Sequence, residues 1–311
     1  MVATSAFAGT SQPECRNTRY TMVLLPFRAE VISPSGLVAG TNEAGRPVLW
    51  RRQSAARELP VPQGFRYAEP VAIGASGQVI VDAFDSMHRK RGAFIYSGHS
   101  VTALTGEQSF AHGVSAAGVV VGESVLQGQS RAVFWAKNVL HAMRLCCGGT
   151  IKAANRSGVM VGEAYDEQGR YHAVVWDAAV LQAPPRVILP DAYSAAVAVN
   201  DAGHILVQAG REVYLEVDSR PRKLELSTGS ANTARSMNKC DFVVGGYGPD
   251  SDRYRGFFWS PASGFQDLNT LVPPGSQWMV QDALAINDRG EIVGKATLGR
   301  EDSGVLLIPV R

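Results

Sequence analysis

No apolar run in the 311 residues approaches the ~18 to 20 that a membrane-spanning helix needs, because glycine, proline or a charge interrupts each one. An excess of one charge is also missing. Thirty Lys+Arg face 28 Asp+Glu, a net of +2, so the chain lacks the basic footprint of a nucleic-acid reader. Cysteine is scarce, with four in all and no CxxC spacing. The six histidines, His88, His99, His112, His141, His172 and His204, form no HxH or HxxxH pair, so a zinc site is not expected. There is no GxSxG elbow, phosphate loop, dinucleotide glycine motif or pair of catalytic carboxylates, and nothing calls for a cofactor. What the chain does have is glycine, 32 residues, which suits a turn-rich β protein.

The glycines fall into a repeat. Seven segments align: VISPSGLVAG from Val31, AIGASGQVIV from Ala72, GVSAAGVVVG from Gly113, AANRSGVMVG from Ala153, AVNDAGHILV from Ala198, SMNKCDFVVG from Ser236 and AINDRGEIVG from Ala285. Their anchors are Gly36, Gly77, Gly118, Gly158, Gly203, Asp241 and Gly290, and a spacing of roughly 42 residues is that of one four-stranded propeller blade. A second column follows each anchor, an apolar run ending in Trp50, Tyr96, Trp135, Trp176 or Trp259, with Tyr214 in the fifth repeat and plain VLLIPV in the seventh. Asn155, Asn200, Asn238 and Asn287 stand three before the anchor, where Asn caps a turn whose Gly takes positive φ. Gly40, Gly122, Gly162, Gly245 and Gly294, after the short apolar strand, mark a close backbone approach.

The pattern predicts an all-β fold, a single seven-bladed β-propeller over residues 20–311, preceded by a flexible tail over 1–19. The seventh repeat runs out after three strands, while the apolar segment Tyr20 to Leu25 stands before the first. Thr21 to Leu25 is therefore expected to pair antiparallel with the strand around Val305 to Ile308, completing the last blade and closing the ring.

Through AINDRGEIVG, ANRSGVMVG and the YHAVVW that follows, the chain resembles the HAF-repeat family of bacterial extracellular repeat proteins from about Tyr20 onward. Only His172-Ala173-Val174 approaches the namesake tripeptide, which marks a divergent member. The resemblance implies a β-propeller and an extracellular setting, and it carries no catalytic motif. The first ten residues lack a basic segment and an apolar core, yet Ala6-Phe7-Ala8 before Gly9 has the small-x-small form of a signal-peptidase site. The protein is thus expected outside the cytoplasm if a signal peptide has been removed or omitted, and in the cytoplasm otherwise.

Candidate functional residues come from comparing the repeats. Six before the anchor the column reads Glu30, Val71, His112, Lys152, Val197, Arg235 and Leu284, whereas the next column is uniformly small or slim. Variation at the start of the innermost strand, where loops from all blades converge, marks either a ligand site or a solvated, tolerant mouth. Phe27, Tyr67, Phe110, Tyr193 and Trp278 interleave there with Arg28, Arg66 and Asp282. The expected ligand-binding set is Glu30, Arg66, Tyr67, His112, Lys152, Tyr193, Arg235, Trp278 and Asp282. One acid among three potential cations points to a glycan, peptide or small anionic ligand, held by a monomeric binding propeller. The alternative is a propeller lyase or hydrolase with His112 as general base and Lys152 or Arg235 steadying an anion.

Three further features have plain structural readings. Asp82 with Arg91, Glu123 with Arg131 and Glu163 with His172 read as cross-strand charge pairs. Asp250 and Asp252 resemble a calcium loop but are followed at once by Arg253 and Arg255. Cys146 and Cys147, adjacent before Gly148, are either a vicinal disulfide forming a lip or two ordinary thiols, and Cys240 reads as packing.

Overall fold

In the computed structural model, seven four-stranded antiparallel sheets follow one another along the chain. It describes residues 19–87, 90–177, 183–227, 231–249 and 253–310; His88, Asp250, Asp252 and the Ala6-Phe7-Ala8 segment lie outside these. The innermost strands are Arg28–Ile32, Tyr67–Ile73, Glu107–Val114, Gly149–Ala154, Ser194–Val199, Ala231–Met237 and Met279–Ile286, and each packs beside the next, the last against the first. This is a seven-bladed β-propeller, and among the described residues its helical content is slight, a 3₁₀ turn at Leu268–Thr270 being an example.

Ring closure follows the expected register. Tyr20–Leu25 pairs antiparallel with Glu301–Pro309, from Tyr20 opposite Pro309 to Leu25 opposite Gly304, and forms the outer strand of blade seven. Tyr20 and Leu25 are buried, so this strand is core as well as edge.

The apolar core is divided among the gaps between blades, one cluster of buried residues to each of the seven interfaces. Trp50, Trp135, Trp176 and Trp259 occupy equivalent third-strand positions, opposite Val38, Val120, Met160 and Val243. Trp135 donates its indole N–H to Thr105 O at 2.7 Å, and Tyr96 in the same column donates its hydroxyl to Pro60 O at 2.6 Å. In blade five the column holds Glu216, opposite Ile205, rather than Tyr214. Glu216 is only 2% exposed and is ion-paired with Arg186 from blade four. The alternation of the short VYLEV strand hid this, because a two-residue slip preserves the face.

Seven near-identical turns follow the inner strands. In each, the anchor N–H donates to the carbonyl three residues before, as from Gly36 to Ser33 and from Gly290 to Asn287. Asp241 takes the anchor's positive φ at 57°. Its carboxylate accepts from Asn200 Nδ2 at 2.8 Å and meets His204 Nδ1 at 2.9 Å, which is why a residue other than glycine serves there. The five strand glycines are obligatory for another reason: a Cβ on Gly40, Gly122, Gly162, Gly245 or Gly294 would lie 1.6 to 2.0 Å from an inner-strand carbonyl oxygen.

The asparagines do more than cap. Each carboxamide oxygen accepts backbone N–H groups of its own turn, while each amide donates to the same turn of the next blade. Asn155 thus reaches Asn200 O, Asn200 reaches Asn238 O, Asn238 reaches Asn287 O, and Asn287 crosses the closure to Ser33 O. Ser33, Gly74 and Ser115 hold this position in blades one to three, so the belt spans four of the seven interfaces.

Candidate functional site: the mouth of the ring

Every inner strand carries a β-bulge at the same place, with the register skipping one residue between Ala29 and Val31, Pro70 and Ala72, Ala111 and Gly113, Ile151 and Ala153, Ala196 and Ala198, Ala234 and Ser236, and Ala283 and Ala285. The skipped residues are Glu30, Val71, His112, Lys152, Val197, Arg235 and Leu284, the variable column itself. A bulged residue has no cross-strand partner and is aimed independently of the pleat. The structure places this column two residues before the end of each inner strand rather than at its start, and within it Val71 and Val197 pack against the cores between blades.

A second variable column, five residues after each anchor, stands beside it: Thr41, Asp82, Glu123, Glu163, Gln208, Gly246 and Lys295. These side chains knit the ring. Asp82 accepts from Ala111 N at 3.0 Å in the next blade, Gln208 accepts from Ala234 N at 2.9 Å, and Glu123 accepts from Thr150 Oγ1 at 3.0 Å. The expected cross-strand pairs are not formed. Asp82 lies opposite Ala93, Glu123 opposite Ala132 and Glu163 opposite Ala173. Arg91 instead lies over the Phe110 ring at 4.7 Å, Arg131 donates to Leu145 O, and His172 meets Asp166 at 3.2 Å.

The cations of the mouth are committed to carboxylates. Lys152 Nζ is 3.0 Å from Glu163, Arg235 is 3.0 Å from Asp282, and His112 Nε2 is 4.0 Å from Glu123. Burial, opposed by Glu123 and aided by Lys152, holds the His112 imidazole below its ordinary pKa. The carboxylates shift the other way. Glu30 is pushed up to about 7 by burial, against a hydrogen bond from Thr41, with Glu69 adding and Arg28 opposing. Asp82 rises to about 7 by burial, against the Ala111 hydrogen bond, with Glu69 and Glu123 adding. Asp282 is likewise raised by burial, Arg235 opposing. Within the bulge column the cations are thus answered by carboxylates, while Arg28 beside Glu30 is exposed.

The remaining predicted residues spread over the face. Arg66 and Tyr67 lie at the start of blade two's inner strand, with Arg66 exposed. Tyr193, 55% exposed, immediately precedes the inner strand of blade five and lies 5.3 Å from Tyr171, which neighbours Tyr165. Trp278 packs against the core between blades six and seven, and Phe27 is buried core. Cys146 and Cys147 are free, exposed thiols beside Tyr165, and Cys240 is disulfide-bonded as well as packed. Among the described residues no cluster of three or more His, Cys, Asp or Glu could hold a metal ion.

One cavity reaches the bulge ring. About 850 Å³ opens between blades seven and one, lined by Glu30 and Leu284 of the variable column and by Arg28, Thr41, Glu43 and Lys295, with Asp302 and Ser303 behind. Pro26 and Phe27 alone connect the outer strand of blade seven to the inner strand of blade one, the shortest of these links, against 104–106 between blades two and three and 268–278 between blades six and seven. Thr41, Glu43 and Lys295 went unread as site residues, and Arg28 was named among the mouth loops but left out of the binding set, because the seam exists only once the ring is closed; the variability of the second column was the available signal.

The fold class is shared with solved structures, although no protein-family model and no curated protein matches the chain. YCF48 bound to D1 peptide is similar at a TM-score of 0.58 and 10% identity, over 97% of this chain and 99% of that one. The WD40 propeller domain of Doa1 gives 0.56 and 12%, over 93% and 96%. A puromycin hydrolase mutant complexed with PGG gives 0.57 and 14%, over 99% of this chain but 55% of the hydrolase. At such identities the likeness is one of fold.

Proposed function

We propose that this protein is a non-enzymatic binding propeller that takes a peptide, glycan or small polar ligand in the central channel lined by its inner strands. The observation that carries this reading is the ring of seven bulges: one structural device, repeated in every blade, holds six different residue types, with only valine used twice. Positions required by the fold, such as the strand glycines, recur in most blades, whereas this ring does not. That YCF48 is a propeller bound to a peptide makes a peptide a natural first ligand to try. A purely anionic ligand is the least supported of the three, because Lys152 and Arg235 already hold carboxylates. The hydrolytic or lyase alternative would rest on His112, which has Glu123 and Lys152 as neighbours but no hydroxyl or thiol nucleophile hydrogen-bonded to it among the described residues. We also propose membership of the HAF-repeat group and a setting outside the cytoplasm; the Cys240 disulfide supports the latter, since such bonds persist in oxidising compartments.

The test is capture on peptide and glycan arrays, followed by hydrogen exchange with the best ligand. Protection is expected at the bulged segments, with affinity falling when Glu30, His112, Lys152 or Arg235 is replaced by Ala. A ligand that protects the Asn-lined turns on the opposite face, and ignores all four replacements, refutes the reading. Turnover lost on His112→Ala would favour the enzyme instead.

A further inference from the structure

The seam cavity holds an unusual set of uncommitted charges. Lys295 and Asp302 neutralise one another at 2.9 Å across the blade-seven hairpin. The Arg28 guanidinium is exposed and makes no hydrogen bond or ion pair among the described residues, and the same is true of the Glu43 carboxylate. Glu30 receives the Thr41 hydroxyl on Oε1 at 2.7 Å, while Oε2 is buried without a partner. A buried carboxylate oxygen lacking a donor is costly, about 1 to 3 kcal/mol or more. The terminal torsion of a Glu side chain is broad, so the carboxylate can turn that oxygen toward a donor in the cavity cheaply.

We propose that the seam cavity binds a small zwitterion carrying a free ammonium and a free carboxylate, as free amino acids and short peptides do, with the ammonium on Glu30 and Glu43 and the carboxylate on Arg28. The proposal rests on the mouth-binding reading and narrows it. A ligand with only one of these charges would leave either the guanidinium or the carboxylates unanswered. An Arg fork suits a carboxylate, to which it can donate two parallel N–H bonds. The volume, about 850 Å³, has room for more than one residue and falls within the ~300 to 1,000 Å³ of small-ligand pockets.

Ionisation should tune this site. Glu30 titrates near 7 with Arg28 on its own strand, Thr41 and Glu43 on the neighbouring strand and hairpin, Glu69 from blade two, and Lys295 and Asp302 from blade seven. An ammonium needs the ionised form, so binding weakens as pH falls through 7. Between pH 7 and 5.5 the ionised fraction drops from about a half to about 3%, roughly a tenfold or greater loss of affinity.

The experiment is calorimetric titration of the full chain with trialanine, dialanine and alanine, and with N-acetyl-trialanine and trialanine amide. Trialanine is expected to bind, with either cap costing about tenfold. Arg28→Gln should cost trialanine a similar factor yet leave the amide unaffected, and Glu30→Gln should spare the N-acetyl form and abolish the pH dependence. Alanine binding as tightly as trialanine identifies a free amino acid as the source, and the reverse order identifies a peptide. Capped and free forms binding equally, with the seam protected from hydrogen exchange, overturn the zwitterion and leave the mouth reading standing. Failure of all three zwitterions to bind also overturns it, and the array ligand then decides the mouth reading separately.

Discussion

Replacing Asp82 by Asn should stabilise the protein, and by an amount that grows with pH. Asp82 is 6% exposed, and its Oδ1 accepts the Ala111 N–H that joins blade two to blade three. Burial, with Glu69 and Glu123 nearby, moves its carboxyl from an ordinary 3.8 to about 7. Between these values the folded chain holds a proton that the unfolded chain has released, so stability falls as pH rises from about 4 to 7 and levels off above. At ~1.36 kcal/mol per pH unit, the ionised side chain costs the fold about 4 kcal/mol at pH 8 and about 2 at pH 5, relative to a neutral isostere. Asparagine is that isostere, since its carbonyl can keep the Ala111 bond and its amide would face Glu69 and Glu123. Blade five already works this way, with the Gln208 amide oxygen accepting Ala234 N. The assay is urea unfolding of both proteins, followed by tryptophan fluorescence at pH 5 and pH 8. The variant's advantage should widen by about 2 to 3 kcal/mol between the two, roughly 3 to 5 °C in melting temperature for a chain this long. An advantage that does not change with pH, or a variant less stable at pH 8, refutes the argument.

Three further outcomes are expected. Asn200→Ala, which removes an acceptor for two turn N–H groups and the donor to Asn238 O, should cost about 3 kcal/mol in the same assay, against about 1 for Ser115→Ala, whose hydroxyl serves only its own turn. Equal costs would mean that the belt adds nothing. Deleting residues 1–25 should lower the melting temperature sharply, because it uncovers the edge of Glu301–Pro309 and removes buried Tyr20 and Leu25; an unchanged melt would show that closure lies elsewhere. Alkylation of the unfolded chain should label Cys146 and Cys147 without reductant and Cys240 only after reduction, as read by peptide mass; Cys240 labelled at the outset would remove the disulfide.

Much of this protein is local, and local features are legible in one dimension. The blade period, the positive-φ anchors, the strand glycines and the tryptophan column each answer a constraint acting within a few residues or across one hairpin, and such constraints recur wherever the hairpin recurs. Closure by Tyr20–Leu25 was legible because a missing strand at one end matched a spare strand at the other. Even the variable column could be found, since it is defined by failing to repeat.

What the sequence could not show is what faces what across the gaps between blades. The Asn belt, the Asp241 contact with His204 and the reach of Asp82 to Ala111 join residues 29 to 254 positions apart, and no spacing rule encodes them. The partner of Arg235, Asp282 of the next blade, was hidden in the same way, while Lys152 meets Glu163 across its own hairpin, so this column read as cationic when carboxylates in fact answer Lys152 and Arg235. The seam cavity was least visible of all. Its walls come from residues near both ends of the chain, which meet only when the ring closes. The sequence alone determined the blade and the number of blades; tertiary structure decided the charge of the mouth and where it opens, because both depend on which blades become neighbours when the ends meet.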